Sequence, residues 1–244
     1  MRPPRLIAVL AGVLATQFAH AADSPLALTL DVSKAGNIAG PLKIVALMTV
    51  LALLPAVVIA MTSFTRTIIV LSMLRHAFGM QDTPPNMVLL SVALFLTVFT
   101  MAPAIEQINR DSIQPLMQEK IDAGAAVVRG VQPLRDFMVR QTREKDLALM
   151  IEIAHAPQPA TIDDVKTIHI VPAFLLSELK TAFQIGFVVF LPFLLLDLVV
   201  ASVLMSMGML MVPPTIISLP LKVLMFVLID GWSLVVRALL GSFH

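Results

Sequence analysis

Two adjacent prolines, Pro213 and Pro214, stand between two apolar runs, residues 185–204 and 215–229. That pattern leaves few folds open. A helix needs about 20 apolar residues to cross a bilayer, and within lipid only helices and closed barrels satisfy their own backbone groups. Consecutive prolines cannot continue a helix, because each lacks an N–H and its ring clashes with the preceding turn. The pair therefore reads as the turn of an apolar helical hairpin. Its first arm is interrupted by Pro192 and Asp197, its second by Pro220 and Lys222, and its tip carries Met205, Met207, Met209 and Met211. A hairpin that only anchored a protein would need neither the acid, the base nor the methionines.

Residues 42–61 and 87–101 form further long apolar runs, with Pro55 as an expected kink and Pro103 as an expected end. Together with 58% hydrophobic residues and a mean hydropathy of +0.90, they place the chain among integral membrane proteins. A net charge of only +1 offers no basic surface for nucleic acid. The absence of cysteine excludes disulfide frameworks and thiolate metal sites. At the start, Arg2 and Arg5, a short apolar core at 6–14 and the small-x-small site Ala19-His20-Ala21 have the form of a secretory signal peptide, residues 1–21. An exposed leader, 22–41, would follow, with Gly36, Asn37, Gly40 and Pro41. A cleaved signal puts that leader in the periplasm of a bacterium. Arg66 and Arg75 then place the connection between the first two runs on the cytoplasmic side. Asn86 is expected to cap the helix of the second run.

Residues 106–166 change character. Charges of both signs appear, and apolar residues recur at helical spacing, as in Ile113, Leu116, Met117 and Ile121. Pro115, Pro133, Pro157 and Pro159 divide the stretch into about three amphipathic helices. An insert of roughly sixty residues is too small for a deep core, so it is expected to pack on copies of itself or on partners, on the periplasmic side. Residues 167–183 return to apolar helix, with Glu178 and Lys180 as boundary charges, and the hairpin follows. The expected fold is all-α. It has polytopic membrane helices in kinked hairpins at 42–105 and 167–244, around a periplasmic helical insert at 106–166.

No catalytic set is visible. The five histidines show no metal-ligand spacing, no glycine-rich phosphate loop occurs, and Ser177 and Ser218 have no paired general base in sequence. The chain therefore reads as a non-enzyme without metal or cofactor. Asp197, Lys222 and Asp230 are unusual, since charge at membrane depth is costly and is paired or functional. At about 1.5 Å per residue, Asp197 and Lys222 differ in depth by roughly 7 Å on the two arms. They read either as a buried ion pair that fixes register or, with Asp230, as a proton relay. For the methionines, residues two apart lie about 200° apart on a helix and would face opposite sides. In an extended loop, where side chains alternate, all four would face one way, and Gly208 supplies the freedom a loop needs. Ordinary core methionines at a helix end are the other reading, and the residues alone leave both open.

Three blocks carry a resemblance. One runs from Thr62-Ser-Phe-Thr-Arg66 through Arg75-His76-Ala-Phe-Gly79 and Pro84-Pro-Asn86 to Thr97. Another is Pro172-Ala-Phe-Leu-Leu-Ser-Glu178 through Lys180 to Gly186-Phe187. The last runs from Asp197 through Met209-Leu-Met-Val-Pro-Pro214 and Leu219-Pro-Leu-Lys222 to Asp230-Gly-Trp232. In these blocks, in this order, the chain resembles the FliP family of flagellar type III export gate proteins. The resemblance implies a pore-forming subunit in the bacterial inner membrane at the flagellar basal body, passing unfolded flagellar subunits. It implies a pentamer with FliQ-like and FliR-like membrane partners, in a closed cone whose helices are raised and strongly kinked. It also implies a methionine-rich gate loop, matched here by Met205, Met207, Gly208, Met209 and Met211. A proton-coupled or small-solute carrier, resting on Asp197, Lys222 and Asp230, is the alternative. Carriers of that kind usually show two similar halves, and this sequence shows none.

Overall fold

A computed structural model describes residues 39–80, 83–159, 161–209 and 211–243. The expected signal peptide, 1–21, and all but the last residues of the expected leader lie outside them. The chain divides into two units, Met1–Ala52 and Leu53–His244. The described element of the first is α1 (Ala39–Ala60), a largely apolar helix that passes through Pro55 and ends at Ala60 in the second unit.

Every regular element among the described residues is helical. In the second unit, α2 (Phe64–Ala77) buries Thr67, Val70, Leu71, Leu74 and Ala77, the one-face spacing of an amphipathic helix. Gly79, at φ +81°, lets the chain turn away after it. The next helix, α3 (Asn86–Ile108), is longer than its apolar run. It continues through Pro103, whose neighbours Met101 and Ala104 are held in the core, into a π-helical turn (Asn109–Ile113) and α4 (Gln114–Met117). Pro103 thus removes one ladder hydrogen bond without ending the helix. Nor is Asn86 a cap: Pro85 holds the cap position, and the Asn86 side chain instead accepts from Arg75 Nη1.

The insert is organised differently from its prolines. Pro115 lies just after the π-helical turn, within the helix that runs on from α3, and Pro133 lies inside an unbroken α5 (Ala123–Gln141). Asp122 starts α5 by accepting from Gly124 N at 3.1 Å and Ala125 N at 3.3 Å. A sharp turn at Thr142 and Arg143 leads to α6 (Glu144–Ile153). The return loop is tied to α5 by Arg135, which donates to the carbonyls of Val165 at 2.7 Å, Ile162 at 3.2 Å and Asp163 at 3.1 Å.

Residues 167–183 and 185–204 are not separate helices. They form one continuous helix, α7 (Thr167–Ser206), of 40 residues that carries Pro172 and Pro192 within it. At about 1.5 Å per residue it is about 60 Å long, twice the hydrocarbon thickness of a bilayer at about 30 Å. The chain then turns into α8 (Pro214–Leu228) and bends by 66° into α9 (Gly231–Leu240). Among the described residues, α7 and the helix running from Asn86 to Met117 are long and apolar enough to cross a membrane, and α8 with α9 would make a third span.

Two cores hold the second unit. One gathers the inner faces of α2, α3, α7, α8 and α9 around Phe78, whose ring centroid lies 5.0 Å from those of both Phe193 and Phe226. The other joins the insert to the apolar helices: Phe137 and Met138 of α5 pack with Met101 of α3 and Ile170 and Phe174 of α7. The insert therefore uses the long helices of its own chain as its core, a packing partner that its length and composition did not reveal.

Candidate functional site

The long helix α7 carries three charged side chains, and each is paired with a different element. Glu178, fully buried, meets Arg66 at the start of α2, itself only 2% exposed. The guanidinium grips the carboxylate in two places, Nε to Oε2 at 2.8 Å and Nη2 to Oε1 at 2.5 Å. Its other N–H groups reach Gln141 Oε1 at 3.2 Å and, from Nη1, the carbonyl and hydroxyl oxygens of Ser242 at 2.7 and 2.8 Å. Five contacts thus meet the five N–H donors an arginine has, and Phe243 lies over the guanidinium with its ring centre 3.9 Å from Cζ. A charge this deep is tolerable only when so completely paired. Glu178 is accordingly an interior residue rather than the boundary charge expected of it. Arg66, counted above as a marker of the cytoplasmic side, is neutralised inside the fold.

Two residues on, Lys180 pairs with Asp146 at the start of α6. Asp146 is 1% exposed and also accepts from Ser177 Oγ at 2.8 Å, while that hydroxyl accepts from the backbone N–H of Arg143 at 3.0 Å. Arg143 extends the seam to Gln184 Oε1 at 2.6 Å and Thr181 Oγ1 at 3.0 Å. Burial pushes the Asp146 carboxyl up. The hydrogen bonds from Lys180 and Ser177 and the charges of Lys180 and Arg143 more than offset this, and its pKa lies below the usual aspartate value. Ser177 is thus a satisfied structural hydroxyl.

Farther along α7, Asp197 Oδ2 lies 2.7 Å from Lys222 Nζ of α8, and Asp197 Oδ1 accepts from the buried Ser218 hydroxyl at 2.5 Å. The Lys222 ammonium has a second partner absent from the sequence reading, the carbonyl of Ala77 at 3.1 Å. Ala77 is the last residue of α2, so the ammonium also sits at the negative end of that helix. Asp230 is not part of this group. It stands exposed at the α8–α9 bend with φ +51°, where its backbone ends one helix and starts the next, and among the described residues it forms no ion pair.

The hairpin tip closes with a specific backbone motif. Gly208 N–H bonds to Met205 O at 3.0 Å and Met209 N–H to Leu204 O at 2.9 Å, with Gly208 at φ +75°. This pair of bonds is a Schellman ending, which needs a left-handed residue at that place. Met205 thus lies in the last turn of α7, Met207 at its cap, and only Met209 and Met211 beyond it. An extended loop over all four is corrected by this geometry: the helix persists until the left-handed glycine releases it. All four methionines are exposed, from 41% at Met209 to 95% at Met211.

The expected site residues therefore fall into separate places: the exposed tip, the Asp197–Lys222 pair beside it in the hairpin, and Asp230 apart. The Arg66–Glu178 and Asp146–Lys180 pairs were missed as pairs. One signal was available: an acid inside an apolar helix requires a cation from elsewhere in the chain.

The sequence model of the FliP family matches residues 47–239. The chain is 51% identical over 207 residues to the flagellar biosynthetic protein FliP of Bacillus subtilis (strain 168), a match that covers 85% of this chain and 94% of the relative. It is 53% identical over 198 residues to the flagellar biosynthetic protein FliP of Pectobacterium carotovorum subsp. carotovorum, with 81% and 77% covered. Against the protein of that name from Caulobacter vibrioides it is 45% identical over 245 residues, with 100% and 92% covered. The family match takes in all three ion pairs of α7 and the methionine tip.

Proposed function

The chain belongs to the FliP family, and on that premise we propose that it is a pore-forming subunit of a flagellar type III export gate, through which unfolded flagellar subunits cross the bacterial inner membrane. Several copies, five by resemblance to the family, surround the passage together with FliQ-like and FliR-like membrane partners. The observation that carries this reading is the hairpin tip, where Met205, Met207, Met209 and Met211 are all exposed on either side of the left-handed glycine that ends the helix.

An exposed cluster of large apolar side chains on a membrane hairpin calls for something to face. Methionine is unbranched and polarizable, so a ring of such side chains can fill an empty passage and still yield to a moving chain of any sequence. A β-branched ring would be stiffer. Behind the tip, the Asp197–Lys222 pair fixes the register of α7 and α8 and ties the hairpin to the end of α2, a rigid base for a yielding edge. A proton relay fits less well, because Asp230 is exposed and stands apart from the pair.

The test is to replace Met205, Met207, Met209 and Met211 by alanine together. The complex should assemble as before, while the inner membrane becomes permeable to small solutes. A fully assembled variant with an undiminished permeability barrier overturns the gate reading.

A further inference from the structure

We propose that α9 is a strap: a short helix hinged at Asp230–Gly231 and clipped at its far end to Arg66, able to lift from the α7–α8 hairpin as a unit while the rest of the core stays closed. Three separate observations carry this.

The first is the hinge. The chain turns by 66° between α8 and α9, and the turn rests on Asp230, a non-glycine residue held at φ +51°. Such a conformation is strained for a residue with a side chain and persists only where its surroundings hold it. The second is what lies beneath the strap. Between α7, α8 and α9 runs an open apolar groove of about 280 Å³, lined on the hairpin side by Pro192, Met225 and Ile229 and on the strap side by Leu234 and Val235. The groove separates part of α9 from the hairpin, so α9 is held to it by fewer contacts than its apolar composition suggests. Its buried side chains are few, chiefly Val235 and Leu239, besides Gly231 at the hinge.

The third is the clip. Just after α9, Ser242 supplies two acceptors to Arg66 Nη1, at 2.7 and 2.8 Å, and Phe243 covers the guanidinium. Phe243 also stacks on Phe137 of α5, with ring centres 6.3 Å apart. Both clip residues lie beyond the span matched by the family, 47–239. When the clip lets go, Glu178 and Gln141 still hold Arg66 through its Nε and Nη2, and water can take the place of Ser242 at Nη1. The ion pair therefore survives release of the strap, and opening stays local, as in elements that unfold below the global free energy.

The chain has no cysteine, so thiol labelling reads one site at a time. The full chain would carry either Val235→Cys, beneath the strap, or Ala182→Cys, a fully buried site on α7 in the same core. Labelling rates are compared with and without Phe243→Ala, and with and without a stop after Gly241. The expected result is acceleration of about tenfold or more at position 235 on loss of the clip, with position 182 unchanged within about twofold. Equal acceleration at both sites would mean general loosening and would overturn the strap. No change at position 235 would show that the clip does not hold α9, and would overturn it as well. Phe243→Ala removes only the ring contacts of the clip and should accelerate position 235 selectively, but by less than the truncation. If the truncated chain fails to fold, Phe243→Ala with Ser242→Gly, which removes both side-chain contacts of the clip, takes its place. An unchanged rate at position 235 in that double variant overturns the strap.

Discussion

Lys222 and Asp146 show how a buried charge takes its meaning from all of its partners rather than from one. Seen as one half of an ion pair, Lys222 could trade places with Asp197. The carbonyl of Ala77 forbids it, because a carboxylate at position 222 would face that oxygen instead of donating to it. Lys222→Ala, which strands a partly buried carboxylate, should cost about 3–5 kcal/mol and lower the yield of assembled complex. The exchange Asp197→Lys with Lys222→Asp should recover little of it. Assembly restored to the level of the unaltered chain would show that the pair alone, without the helix end, matters. For Asp146 the lowered pKa sets the direction of a pH effect. A carboxyl that is more acidic folded than unfolded stabilises the fold above its unfolded value of about 3.9, and that contribution disappears as pH falls through the lower folded value. Hydrogen exchange in α6 should therefore accelerate, relative to α7, on acidification below about pH 4, and Asp146→Asn should show the faster exchange already at neutral pH. An α6 equally protected in the variant at neutral pH would remove Asp146 as the lock.

The helices end and bend where single residues permit it, and two glycines do so for opposite reasons. Gly208 holds φ +75° with open space around the position of a Cβ, so its need is conformational. In Gly231 the need is spatial: a Cβ there would fall 2.2 Å from the Phe226 ring, which is packed against Phe78 and Trp232. Gly208→Ala should cost about 1 kcal/mol from backbone strain, and Gly231→Ala about 1–3 kcal/mol from overpacking. Adding Phe226→Leu should recover part of the second loss and none of the first, as read by thermal unfolding of the full chain. A rescue common to both would mean that one cause underlies them. The prolines show the same dependence on place. Pro213 and Pro214 fall at a helix start and break nothing, while Pro103, Pro133, Pro172 and Pro192 are all carried inside helices.

At the scale of the molecule, the outer faces of α3 and α7 expose a large apolar surface. Phe95, Val98 and Phe99 of α3 and Phe187, Val188 and Leu198 of α7 are each more than half exposed. A soluble monomer rarely shows so much contiguous apolar area, so this surface is one for lipid tails or for other protein, and the proposed assembly assigns part of it to neighbouring subunits. Purification in a mild detergent should give a discrete complex of several copies with smaller membrane partners. A homogeneous monomer that keeps its fold would overturn the proposed assembly.

Much was legible in the residues themselves. The apolar runs fixed the membrane class and the helical fold, because in lipid the backbone has few other solutions. The double proline and the alternating methionines marked the hairpin and its tip, since both are local patterns. The remainder depended on contacts distant in sequence. That Pro172 and Pro192 stay within one 40-residue helix follows from the elements packed along α7, which offset what each proline removes locally. That Arg66 meets Glu178, 112 residues away, and that Lys222 finds the end of α2 as well as Asp197, follows from how those elements pack. A sequence shows that a buried charge must be paired. Only the tertiary structure decides with what, because the choice is made by which helix ends and side chains the packing brings within about 3 Å.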